Sequence, residues 1–498
     1  MMSAGGYLAG VALFLPTAAA SLAAAAIVLR RRFGYLRGLP RGLAFSVLAT
    51  AALVLVGVIP AALSVLTRGT VLVTALLELA AASAVRPARI TVAPDPASPA
   101  PASGAASIVV ASLALVSFAV YELARARVLL VHPLTDIDML GFHLPGVARW
   151  IQTGTLWQVD QFLPGFATAQ YPNNGDFLVL ATVLPWHDLA FVRLPGIVFF
   201  ALTGVAVYAL ALELGASRAA AATFAVLALI VSPLSHFALE GLPDDITDSM
   251  LVVGCLFLIR HARTRRTGEL VLGGLALGLA LGTKWFGLTA CAVIVIAWVA
   301  ARLIARERPG RMARDGGVLL AMISLGGGFW LVRNLIESGN PLYPKAISVL
   351  GVRLFDGSRG DLVDRLGYSI VHYLGSPQIL RRFIYPGFKS QLGFAGLVLL
   401  VGLVVAIAWS VRRRREWRGA AVLIVALVAL GIFVTYAITP GTAYGPRNYP
   451  VQGFVTLRWL IPAVVIGAAV CAAAVRAIGR WGIVLELGAL AGVLDAIN

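Results

Sequence analysis

Polar residues in this chain are gathered into short gaps between long apolar runs. Runs at about 6–29, 43–66, 70–86, 106–121, 192–213, 217–234, 247–260, 269–284, 285–304, 316–332, 392–411, 419–438, 459–476 and 481–495 approach the ~20 residues a helix needs to cross a bilayer. The pattern predicts an all-α, polytopic transmembrane helical bundle of about fourteen spans. Two shorter pieces fit no span. FLVLATVLPW, at 177–186, is apolar but too short to cross, which predicts an interfacial or re-entrant segment. HLPGVARWIQ, at 143–152, has Pro145 at a first helical position and apolar residues at helical spacing, so a helix along the membrane surface is expected.

Composition agrees: 59% hydrophobic residues with only 13% charged excludes a soluble domain. The formal charge of +17 does not imply nucleic acid, because the basic residues cluster in short loops between apolar runs, where they report topology. Basic loops at 30–41, 86–89, 260–266, 302–314, 412–418 and 476–480 are assigned to the cytoplasmic side. They alternate with loops holding Glu240, Asp244, Asp245, Asp248, Glu337, Asp356, Asp361 and Asp364. The N-terminus is then outside, and residues 6–29 form a retained span rather than a cleaved signal. Glu122, Arg125 and Arg127 at the outer end of the fourth run depart from this rule, which requires that end to be tucked into protein or the boundary to lie elsewhere. Counting 177–186 as a span would invert every later loop and put the basic loops at 260–266 and 412–418 outside.

A Pro/Ala/Ser-rich stretch at 90–107 reads as a flexible cytoplasmic linker. It divides an accessory bundle with its linker (1–105) from a main module (106–335) whose first outer loop covers 132–191. A second outer loop (336–391) and a C-terminal set of helices (392–498) follow. Cys255, Cys291 and Cys471 lie inside apolar runs without ligand spacing and are expected to be core thiols. Arginine outnumbers lysine 37 to 3, so the lysines, Lys284 among them, are worth locating.

Candidate chemistry gathers in the outer loops. The polar stretch 134–154 places Asp136, Asp138, His143 and Arg149 directly after an apolar run. Hydration and helix capping would account for one such acid. Asp244, Asp245 and Asp248 precede a later span, where a cap would need only one. Lys284, Arg333, Arg447 and Arg458 fall at outer boundaries, the level of a lipid phosphate, where an ionisable residue is a functional candidate by default.

DMLGFHLPGVARWIQTG, QYPNNGDF, a PDD loop, GTKW, RNLIESGNPLYP and LRWLIPA occur in this order between about residues 107 and 474. This series resembles GT-C glycosyltransferases that use polyprenyl-phosphate sugars, with the protein O-mannosyltransferases and lipid A aminoarabinose transferases as distant members. The resemblance implies a bundle of GT-C type and transfer of a sugar from a polyprenyl-phosphate donor to an acceptor hydroxyl of a glycan, lipid or protein. It further implies a catalytic aspartate in the first outer loop, which Asp138 matches by its spacing to His143, with Asp136 as the other candidate. The donor-phosphate candidates are Lys284, Arg333, Arg447 and Arg458; those for substrate binding are His143, Tyr171, Asp244, Asp245, Asn340 and Tyr343. LRWLIPA departs from the commoner R-Y-L-L-P at Trp459 and Ile461.

Such transfer needs a base for the acceptor hydroxyl and cations for the leaving phosphate, and the loops hold both residue types. No cofactor is expected. A divalent metal stays open, since Asp136, Asp138 and Asp245 offer hard oxygen ligands but no dedicated spacing. Walker-type loops, HExxH, CxxC pairs and nucleophile elbows are absent, which argues against a nucleotide-sugar donor. The alternative is a transporter or lipid-binding membrane protein without catalysis. Charge pairs in mid-span would favour it, and almost none occur. The expected location is a bacterial plasma membrane, multi-pass, with the active site outside and the bilayer as partner.

Overall fold

The computed structural model describes residues 3–88, 100–129, 131–163, 167–358, 367–450 and 457–497. Residues 90–99 of the expected linker lie outside the described residues, as do Arg89, Asp361 and Asp364.

The chain is a helical bundle. Its N-terminal part holds α1 (Ala4–Arg32), α2 (Gly38–Ala62), α3 (Arg68–Ala84) and α4 (Ala105–Leu129). Two short helices, α5 (Leu144–Thr153) and α6 (Asn174–Val183), follow in the first loop. Next come α7 (Leu194–Glu213), α8 (Arg218–Leu229), α9 (Ser232–Glu240), α10 (Asp244–Thr264), α11 (Thr267–Leu281), α12 (Trp285–Ile304), α13 (Pro309–Ile323) and α14 (Phe329–Ser338). After a segment with the small hairpin β1 (Ile347–Val349) and β2 (Val352–Phe355), the chain ends in α15 (Tyr385–Arg412), α16 (Trp417–Ile438), α17 (Ile461–Ala477) and α18 (Gly482–Ile497). All fourteen apolar runs are helical. Among the described residues nine helices are long and apolar enough to cross a membrane, α13 and α14 counting as one, and the bent pair α8 and α9 makes a tenth. The other expected runs are α3, α11 and α18, which are shorter, and α10, which carries the acids at its start.

The expected sorting of loops reappears as two ends. At one, Arg31 donates to Ser83 O and Val85 O, Arg266 lies over the Tyr35 ring, and Arg265 reaches Glu307 at 2.8 Å. At the other, Leu66 N donates to Gly154 O, Trp157 Nε1 to Ala62 O, and Trp186 Nε1 to Tyr7 O. Arg125 is indeed tucked into protein. It donates to Ser235 on α9 and lies 5.3 Å from the Tyr121 ring centroid.

Helix α11 positions the site. Its glycines face the π-helical turn Ser324–Gly328 between α13 and α14 so closely that a Cβ on Gly278 would collide with Ile323 O. A Cβ on Gly282 would strike Asn174, whose backbone N donates to Gly282 O at 2.8 Å. Small residues let these backbones touch, so packing alone can hold the crossing within lipid. Helix α6 is thereby docked at the end of α11: Phe177 and Val179 are fully buried, and Phe177 stacks on Trp150 of α5 with ring centroids 4.7 Å apart. The FLVLATVLPW segment is therefore a short buried helix and its exit, wedged among longer ones.

Candidate active site

The polar turn after α4 is organised by Asp136. Its Oδ1 accepts from the backbone N–H of Asp138 (2.8 Å) and of Met139 (3.2 Å), while its Oδ2 lies 3.5 Å from His236 Nε2. Glu240, at the end of α9, accepts from the N–H groups of Thr135 and Asp136 and from the Thr135 hydroxyl. Asp136 thus does the capping work. Asp138 is left free of it, and its Oδ2 meets the guanidinium of Arg458, 320 residues away at the entry to α17. Burial alone would raise the Asp138 carboxyl, but Arg458 and then Lys284 outweigh it and hold the group below the usual carboxylate range. Burial likewise opposes ionisation of Asp136, and the His236 and Met139 contacts overcome it.

A π-helical turn, Met139–His143, runs from Asp138 into α5, where Pro145 sits in the first turn as expected. At its end His143 is buried between Asp176 of α6, with Nδ1 2.6 Å from Oδ1, and Lys284, with Nε2 2.9 Å from Nζ. The Lys284 ammonium also lies 3.2 Å from Asp244 Oδ2 at the start of α10, an ion contact off the line of a hydrogen bond.

Lys284, Arg458, Asp244 and Tyr171 line a cavity of about 340 Å³. Its remaining wall is mostly apolar or aromatic, with Trp285, Phe286, Leu288, Leu342, Tyr436 and Trp459, and Lys345 supplies a third cation. Beyond Tyr436, against which Phe388 packs edge-on, an apolar groove of about 820 Å³ runs between α15, α16 and α17, and Lys389 lies along it. All three lysines of the chain therefore line these two adjoining spaces.

The other candidates are placed elsewhere. Arg333 is buried on the far side of His143, donating to Ala169 O at 2.6 Å and to Asn173 Oδ1, with its guanidinium 4.9 Å from the Trp330 ring centroid. Arg447 is exposed in the loop before α17. Asn340 pins the loop that walls the cavity, donating to Lys345 O (2.7 Å) and Asp356 O (2.8 Å), and Tyr343 lies within that loop. Asp245 and Asp248 are buried, with no hydrogen-bond partner on either carboxylate oxygen of Asp245 or on Oδ1 of Asp248, and Asp245 does not line the cavity. Asp136, Asp138 and Asp245 do not converge: among the described residues no group of three or more His, Cys, Asp or Glu is placed to hold a metal ion. Sequence reasoning assigned nothing to Asp176, Asn173 or Trp459. A polar N-N-G-D run directly before an apolar helix was the available signal for the first two.

Residues 157–313 match the family model for dolichyl-phosphate-mannose-protein mannosyltransferase. That stretch, about a third of the chain, is similar to the protein O-mannosyltransferases, a GT-C family. The match and the long apolar helices together support a multi-pass membrane glycosyltransferase that uses a polyprenyl-phosphate sugar. The matched stretch includes Tyr171, Asp176, Asp244 and Lys284 and leaves Asp136, Asp138, Arg333 and Arg458 outside it. No match was found among curated proteins or among solved structures.

Proposed function

We propose that the chain moves a sugar from a polyprenyl-phosphate carrier to an acceptor hydroxyl at the non-cytoplasmic face, with Asp138 as general base and Lys284 and Arg458 on the donor phosphate. One observation carries this reading: two cations from α12's entry and α17's entry meet in a cavity with apolar walls, and the second of them holds Asp138. A lipid phosphate needs that combination of fixed charge and apolar surround. The adjoining groove offers the lipid chain an apolar path.

In the reaction the acceptor oxygen bonds to the anomeric carbon, the bond from that carbon to the phosphate oxygen breaks, and the hydroxyl proton passes to Asp138. The carrier leaves as a polyprenyl phosphate, already a good leaving group, so no paired general acid is required. Its added negative charge is met by Lys284 and Arg458 in a water-poor setting, where fixed cations count for more than in water. Asp138 is preferred to Asp136 because the latter's oxygens are engaged by two backbone N–H groups and His236. The non-cytoplasmic assignment rests on the positive-inside rule: the site lies at the end opposite the arginine-rich loops.

The name of the matching family makes a mannosyl donor and a protein hydroxyl the first pair to test. Purified protein is incubated with radiolabelled polyprenyl-phosphate sugars, mannose first, and with nucleotide sugars, in the presence of candidate glycan, lipid and protein acceptors. Label should move from a lipid-linked donor and from no nucleotide sugar. Transfer from nucleotide sugars alone would overturn the reading.

A further inference from the structure

Lys284 is held from behind by a buried dyad. His143 and Asp176 are 3% and 2% exposed, and Asp176 is locked in turn by Asn173, whose Nδ2 donates to Oδ2 at 2.6 Å. We infer that His143 and Asp176 are positioning residues that fix the Lys284 ammonium toward the donor phosphate by forcing the imidazole to be an acceptor on its Nε2 side. The inference rests on the reading of Lys284 as a phosphate-holding group.

Donors and acceptors fix the tautomer of His143. An ionised carboxylate only accepts, so the 2.6 Å contact requires the proton on His143 Nδ1. A neutral ring then carries a lone pair on Nε2, facing the Lys284 ammonium at 2.9 Å, and the lysine donates to it. The opposite tautomer fails at both ends, since a lone pair would face the carboxylate and an N–H would face the ammonium. A doubly protonated ring fails at the lysine. Of the three ammonium hydrogens, one goes to His143, and the ion contact with Asp244 takes none in hydrogen-bond geometry, which leaves the others for the cavity that Lys284 lines. A lysine stem is flexible, so this fixation supplies direction that the side chain lacks by itself. Phe142, with its ring centroid 4.1 Å from that of His143 and 5.9 Å from Nζ, closes the remaining side.

The dyad also ties the two halves of the chemistry together. Asp138 begins the π-helical turn that His143 ends, so one rigid turn sets both the base and the residue steering the phosphate-binding lysine.

The test measures binding of undecaprenyl phosphate, and the KM for donor and for acceptor, in full-length protein. The variants are Lys284→Ala, His143→Phe, His143→Gln and Asp176→Ala, each checked by its melting temperature. His143→Phe and Asp176→Ala should weaken carrier binding and raise the donor KM about tenfold, within the range expected for a charge-assisted contact, and leave the acceptor KM unchanged. His143→Gln should retain binding close to wild type, because its amide can donate to Asp176 and accept from Lys284. Should Asp176→Ala fail to fold, the contrast between His143→Gln and His143→Phe decides alone. If Lys284→Ala loses carrier binding but His143→Gln is as impaired as His143→Phe, or Asp176→Ala binds normally, the positioning role is overturned and the phosphate site stands. If Lys284→Ala itself binds normally, the phosphate site falls and the positioning role with it.

Discussion

The two ends of the bundle both bury charge, and they do so differently. At the arginine-rich end Arg260 lies 3.1 Å from Glu213 and 2.9 Å from Glu269, Arg263 shares Glu213, and Arg302 lies 2.7 Å from both Glu307 and Asp315. Each of these carboxylates has an arginine partner, and the helices α7, α10, α11, α12 and α13 are tied together through them. At the opposite end the pairs are strung along a cavity: Asp138 with Arg458, and Asp244 with Lys284, His143 and Asp176 behind it, while Lys284 and Arg458 still face open space. Charge that is fully enclosed by its partner can only hold structure. Charge that is half-partnered and borders a cavity is available to a ligand.

The contrast is broken most forcefully at the arginine-rich end. Arg260→Ala leaves Glu213 and Glu269 short of a partner in a buried setting, and removing one member of such a pair costs about 3–5 kcal/mol. The expected result is a large drop in melting temperature with transfer per folded molecule unchanged. Lost transfer at unchanged stability would erase the distinction between the ends.

Lys284→Ala should do the reverse. Donor binding weakens by about 1.5–3 kcal/mol, roughly ten- to a hundredfold, with acceptor binding little altered and melting displaced far less than in Arg260→Ala. Unaltered donor affinity would remove Lys284 from the site.

How much of this contrast the sequence carried depends on range. Helix positions were legible because apolar runs of membrane-spanning length are a local signal, and the division of loops into acidic and basic was legible by charge alone. Asp138, Lys284 and Arg458 could be named because motifs mark them, but their meeting could not. Asp138 and Arg458 are 320 residues apart, and His143 and Lys284 are 141 apart. Asp176 went unassigned since nothing local distinguishes a carboxylate that orients a histidine from one that caps a helix. The same limit explains Arg333 and Arg447, which the sequence puts at the same boundary level as Lys284 yet which do not line its cavity. Short α6 could be excluded as a span by length, but its burial beneath α5 needed the tertiary fit of Gly282 against Asn174.

Labelling sharpens the comparison without any energetic change. Cys255, Cys291 and Cys471 are buried, so single cysteines placed at exposed Glu337 and Arg414 in sealed vesicles should react from opposite sides. Reaction from one side would collapse the two ends into one. The smallest expected effect is that of Asp136→Asn. An amide oxygen can still accept from the N–H groups of Asp138 and Met139, so turnover should change by less than about 1 kcal/mol in activation free energy.

The most direct test of the central claim is single-turnover sugar transfer by Asp138→Asn, with donor binding measured on the same preparation. The amide keeps the size of the carboxylate and cannot take the acceptor proton. Transfer is expected to fall by about 10²-fold or more with the protein folded and the donor still bound. Full transfer by Asp138→Asn would contradict the account, and full transfer by that variant with loss in Asp136→Asn would hand the role of base to Asp136.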